Sequence, residues 1–157
     1  MRNGFTLLEI LIVITIIVIL MGGVTFSYTR YNANKGLDKD MIALKDVLSS
    51  AREKTIARDL GTTTNCSTFV GYRVRIIPST STYELYRLCT GITIPVLSTY
   101  NLTASRFTGS APFNVDFVYP YATLSGTTQI IQLNNTRVTG CHEIQVSVTG
   151  VISDQSC

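Results

Sequence analysis

The chain has 157 residues, 45% hydrophobic and 15% charged, with a mean hydropathy of +0.26 and a formal net charge of 13 − 10 = +3. Its apolar excess is concentrated in one run. That excludes intrinsic disorder, collagen, a coiled coil and a polytopic membrane protein, and leaves one domain with an appendage. The mild charge excludes a basic nucleic-acid tail and leaves room only for a local patch.

The appendage comes first. No charged residue occurs from Ile10 to Thr29, and Ile10 to Met21 is apolar apart from Thr15. The polar start is only Met1-Arg2-Asn3-Gly4, and no small-residue cleavage site follows the run, unlike a secretory signal peptide. From Phe5 to Phe26 the run has about the ~20 residues that cross a bilayer as a helix. Arg2 before it marks the cytoplasmic side. Glu9 interrupts it; a carboxylate at that depth costs roughly 3 kcal/mol or more unless neutralised, and such groups are usually functional. Gly22-Gly23 follows, and a kink, a melting point or a tolerated pair in a membrane-stabilised helix all fit.

Helical periodicity resumes in Leu37, Met41, Leu44, Leu48, Ala51 and Thr55, widened by Ile42, Val47 and Ile56. Lys39, Asp40, Lys45, Asp46, Arg52, Glu53 and Asp59 take the remaining positions. The pattern predicts an amphipathic helix from about Gly36 to Leu60 with Gly61 as its cap. From Thr62 onward strands are predicted: Val70–Ile77 and Tyr83–Leu88 around Pro78–Ser81, then Gly91–Leu97, Asn114–Val118, Gln129–Leu133 and Glu143–Ile152. In the last, Ile144, Val146 and Val148 share a face. The fold class expected is α+β: a long amino-terminal helix, membrane anchor plus amphipathic half, packed on an antiparallel carboxyl-terminal sheet.

Cys66, Cys89, Cys141 and Cys157 all follow the apolar run and form no C-x-x-C, which argues against zinc. Outside the cytosol disulfides are the default; four reduced, buried cysteines are the alternative. Of three connectivities, Cys66–Cys89 and Cys141–Cys157 suit the chain path. The hairpin returns Cys89 toward Val70, and Cys141 and Cys157 bracket the last strand.

Gly4-Phe5-Thr6-Leu7-Leu8-Glu9 resembles the processing site of type IV pilins and type II secretion pseudopilins. The resemblance implies cleavage after Gly4 and methylation of Phe5 by a prepilin peptidase that is also the N-methyltransferase. It implies pairing of Glu9 with a neighbouring subunit's terminal amine, and partners in other pilin or pseudopilin subunits, an inner-membrane assembly platform and the membrane. Where many pilins carry a proline after the apolar core, this chain has Gly22-Gly23. Physically, Phe5 and Glu9 lie four positions apart on one helix face, and a buried amine and carboxylate, each needing a partner, can pair within a subunit or between subunits. The divisions implied are a leader (1–4), a transmembrane or filament-core helix (5–29), its amphipathic continuation (30–61) and an extracytoplasmic head (62–157). The expected location is the cytoplasmic membrane, then a pilus or pseudopilus.

Two stretches of the head resemble H-type minor pseudopilins and T-type minor fimbrial pilins: Ala51–Arg58 before a strand, and Ile144–Val151 with a cysteine close behind. T-type relatives are implicated in DNA uptake, but no Lys or Arg follows Gly150 here. Arg73, Arg75 and Arg87 are the candidate basic face for DNA, which is not the favoured partner; a tip adhesin or ligand-binding module is a further alternative. Cys141-His142-Glu143 sets ligand types in a row, but strand neighbours point to opposite faces, and the segment is expected to be an ordinary strand start. No nucleotide loop or nucleophile–base pattern occurs. The expectation is a structural subunit, not an enzyme, with no cofactor and no metal.

Overall fold

The computed structural model describes residues 6–60, 66–90, 92–93, 96–138 and 140–157. Its helix, α1 (Leu7–Ile56), begins at Thr6, whose extended backbone and side-chain oxygen receive the Glu9 N–H. Over 50 residues it is about 75 Å long at 1.5 Å per residue. It runs without a break through Gly22 and Gly23.

The buried stripe contains Leu37, Leu44, Leu48, Ala51 and Thr55. It is narrower than expected, because Ile42 (54% exposed) and Ile56 (48% exposed) fall outside it. Asp40, expected on the polar face, sits within the stripe, 4% exposed. Positions 33, 37, 40, 44, 48, 51 and 55 step by three and four, so a carboxylate occupies an apolar register.

The helix also ends before the expected Gly61, which lies outside the described residues. Ala57 is the cap, and Arg58 turns into the left-handed region at φ 49°. The Arg58 N–H then donates to the Thr55 carbonyl at 3.2 Å and the Asp59 N–H to the Lys54 carbonyl at 3.0 Å. These two bonds are the Schellman pattern that satisfies the last carbonyls. The Tyr72 hydroxyl secures the turn by donating to the Asp59 carbonyl at 2.7 Å.

The strands are β1 (Phe69–Ile77), β2 (Thr82–Cys89), β3 (Ile92–Thr93), β4 (Ser98–Asn101), β5 (Arg106–Phe107), β6 (Phe113–Val118), β7 (Thr123–Leu124), β8 (Gln129–Asn134), β9 (Cys141–Val146) and β10 (Ile152–Ser156). They form two antiparallel sheets among the described residues. One has the order β3-β2-β1-β6-β7 with β4 also on β2, and the other the order β10-β9-β8-β5. The carboxyl-terminal half of α1 packs on both. Alternate residues of the strands meet it: Tyr72, Val74 and Ile76 from β1, Val115 and Phe117 from β6, Ile131 and Leu133 from β8, Ile144 and Val146 from β9. Each such side chain contributes roughly 1.5–3 kcal/mol on leaving water.

Two expected strands differ. The one across 91–97 is interrupted, and the chain pairs with β2 twice, through β3 and then β4; Gly91, Ile94 and Pro95 lie outside the described residues. The last is a hairpin, β9 then β10, closed by a turn in which the Gly150 N–H donates to the Ser147 carbonyl at 2.8 Å. Gly150 adopts φ 77°, and a Cβ there would lie 2.2 Å from the Ala122 carbonyl oxygen, so the turn requires glycine. Val148 is in this turn and exposed, not on the face of Ile144 and Val146.

Candidate functional site

The amino-terminal motif is described from Thr6 onward; Gly4 and Phe5 lie outside the described residues. Thr6-Leu7-Leu8-Glu9 has the T-x-x-E spacing of a capping box, a signal legible in the sequence. Its threonine half is formed: Thr6 Oγ1 accepts the Glu9 N–H at 3.3 Å. Glu9 lies in the first helical turn, exposed, where the positive end of the helix dipole favours a carboxylate. It has no cation within ion-pair distance among the described residues.

Around Glu9 the helix is uncovered. The large apolar side chains from Leu7 to Met21 keep between 45% (Ile17) and 83% (Leu7) of their surface accessible. This helix is long and apolar enough to cross a membrane. Nothing in the described head reaches this segment, so whatever removes it from water is another phase or another molecule.

The head is held to α1 by a clamp at Asp40. Its carboxylate accepts the N–H groups of Thr103, Ala104 and Ser105 at 2.8–3.1 Å and the hydroxyls of Thr103 and Ser105 at 2.8 and 2.7 Å. Burial pushes the Asp40 carboxyl up, but the bonds from Ser105, Ala104 and Thr103 together outweigh it and hold its pKa below the ordinary value. Gly36, one turn earlier, makes the close approach possible: a Cβ there would lie 2.4 Å from the Ala104 Cβ. Asn135 braces the same loop, donating to the Ala104 carbonyl at 2.7 Å and accepting the Arg137 N–H at 2.9 Å.

A second attachment is the carboxyl-terminal hairpin. Disulfides join Cys66 to Cys89 and Cys141 to Cys157, with Cα–Cα distances of 5.5 and 5.6 Å. The Cys141–Cys157 bridge closes β9 and β10 at their open end, and Lys45 of α1 forms an ion pair with Asp154 of β10. That hydrogen bond lowers the Asp154 pKa. His142 turns its Nε2 to Asp38 of α1 at 3.0 Å. Among the described residues no group of three or more His, Cys, Asp or Glu gathers to hold a metal.

The three arginines considered for DNA do not come together. Arg73 and Arg75 lie on the outer face of β1, opposite Tyr86 and Glu84 of β2. Arg73 is occupied by Asp116 through two bonds of 2.6 and 2.7 Å, which hold its pKa above the ordinary value. Arg87 is on the other face, 5% exposed, over the Tyr72 ring. The alternation of Tyr83, Leu85, Arg87 and Cys89 carried that information, since residues two apart share a face.

Residues 1–25 match the prokaryotic N-terminal methylation motif. No curated protein and no solved structure matches the chain. The match covers the segment with the Gly4–Glu9 motif and most of the exposed apolar helix, while the branch of the head, H-type or T-type, receives no support from it. With one long helix on antiparallel sheets behind it, this motif supports the resemblance to type IV pilins and pseudopilins.

Proposed function

We propose that the chain is a minor pilin or pseudopilin, stored in the cytoplasmic membrane and then packed into a pilus or secretion pseudopilus. In this reading the peptidase cleaves between Gly4 and Phe5 and methylates Phe5. The anchor then occupies the bilayer until the assembly platform moves the subunit into the filament. The observation that carries the proposal is a processing motif on a helix whose apolar side chains have no cover within the chain. Two disulfides in the head fit an extracytoplasmic, oxidising compartment.

Glu9 is the assembly residue in this account. Exposed in the isolated chain and held in the first turn of α1, it lies four positions after Phe5 in the sequence. A terminal amine from a neighbouring subunit would neutralise it in a low-dielectric filament core and set the axial register. Glu9→Ala removes the carboxylate and makes membrane insertion easier. The variant is expected to be inserted and cleaved normally yet to be missing from sheared filaments by immunoblot. Incorporation at the wild-type level would refute the pairing.

A further inference from the structure

Where α1 leaves its apolar run, a cleft of about 780 Å³ opens between the helix at Tyr28–Ala33 and three loops of the head, 78–81, 102–106 and 135–137. Its walls are preformed, because Asp40 fixes the middle loop and Asn135 ties that loop to the third. Two arginines, Arg106 and Arg137, line it and are exposed. Neither has a carboxylate within ion-pair distance among the described residues. Thr136 adds a hydroxyl, while that of Thr80 is engaged with Thr82, and no Asp or Glu is among the lining residues. Asp40 lies behind the loop with its oxygens already engaged. The cleft is therefore cationic, with two guanidinium groups as donors, a chemistry suited to a phosphate group.

Its position selects the source of that phosphate. This step rests on the membrane-anchored reading above. At 1.5 Å per residue, Thr29 to Ala33 lie about 4–10 Å beyond Phe26, the last residue of the apolar run. The headgroup layer extends roughly 5–8 Å beyond the hydrocarbon on each side. Tyr28 and Tyr31, both exposed, fall at the depth where aromatic side chains mark a membrane interface. We infer that this cleft binds the headgroup of an anionic phospholipid while the subunit is in the membrane, with Arg106 and Arg137 as its phosphate contacts.

Each arginine near an anionic lipid surface strengthens binding about fivefold. The test uses the full-length chain in neutral detergent, titrated with phosphatidylglycerol, phosphatidylcholine or inorganic phosphate and followed by native mass spectrometry. One phosphatidylglycerol per chain is expected, held at least tenfold more tightly than phosphatidylcholine or inorganic phosphate. Arg106→Gln/Arg137→Gln should weaken it about 25-fold. The charge-matched Lys54→Ala/Arg58→Gly, at the far end of α1, should leave it unchanged. Both variants are checked for their two disulfides. Equal retention of the two lipids, or an unchanged affinity in the arginine variant, would overturn the site. Inorganic phosphate binding as tightly as phosphatidylglycerol would overturn the lipid as its source. Separately, release of the native chain from membranes by alkaline carbonate would overturn the anchored reading, whatever the cleft binds.

Discussion

The two halves of α1 are one continuous helix in opposite situations. From Leu7 to Met21 apolar side chains face outward on every side, with nothing in the described chain to cover them. From Ala33 to Thr55 a single stripe is buried against two sheets, and the polar positions face water. A helix that is apolar all round belongs in a membrane or in a larger assembly, and an amphipathic one belongs on a core. The first half therefore takes its stability from outside the chain and the second from inside it. Changes to the head should leave membrane retention alone, and changes at Glu9 should leave head stability alone.

The sharpest way to break this separation is at Asp40. Asp40→Ala leaves five donors of residues 103–105 without their acceptor, and the head should lose roughly 4 kcal/mol in urea titrations of the full-length chain in detergent. Membrane retention should not change. The carboxyl also gives the head an acid limit. Because its pKa in the fold lies below the ordinary 3.8, its contribution is complete above that value and is lost as pH falls through the folded pKa. Asp40→Asn should flatten this part of the acid unfolding curve. A variant whose acid slope matches the wild type would assign the limit to other carboxylates.

Leu48→Ala should follow, at about 3 kcal/mol, since the side chain is fully buried and its neighbours on both sheets can close the gap only partly. A loss below about 1 kcal/mol would show that the helix is held by its polar clamps and not by its stripe. Cys157→Ser should cost the head about 2–3 kcal/mol by opening a closure of 16 residues. Hydrogen exchange should place the loss in β9 and β10. Loss spread evenly over the first sheet would contradict the view of this hairpin as a local attachment.

The sequence made the stripe legible through Leu37, Leu44, Leu48, Ala51 and Thr55, because helical spacing is a property of the backbone alone. At Asp40 register outranks charge. A carboxylate can hold an apolar position when a loop distant in sequence brings donors to it, and nothing near Asp40 announces residues 103–105. The helix ends ahead of Gly61 because Arg58 takes the left-handed conformation where glycine is usual. In the last strand, Val148 continued the alternation of Ile144 and Val146 across a turn. Arg87 depended on strand register, where a shift of one residue exchanges the faces. The loops around the cationic cleft come from segments far apart in the chain, so no local pattern marked it.

The most direct test of the central claim is the amino terminus of the protein recovered from native membranes, read by intact-mass and peptide mass spectrometry. The account predicts a chain that lacks Met1–Gly4, begins at N-methylated Phe5 and keeps both disulfides, with Gly4→Leu retaining the leader. A wild-type chain still beginning at Met1, or a mature chain of normal mass from Gly4→Leu, would contradict it.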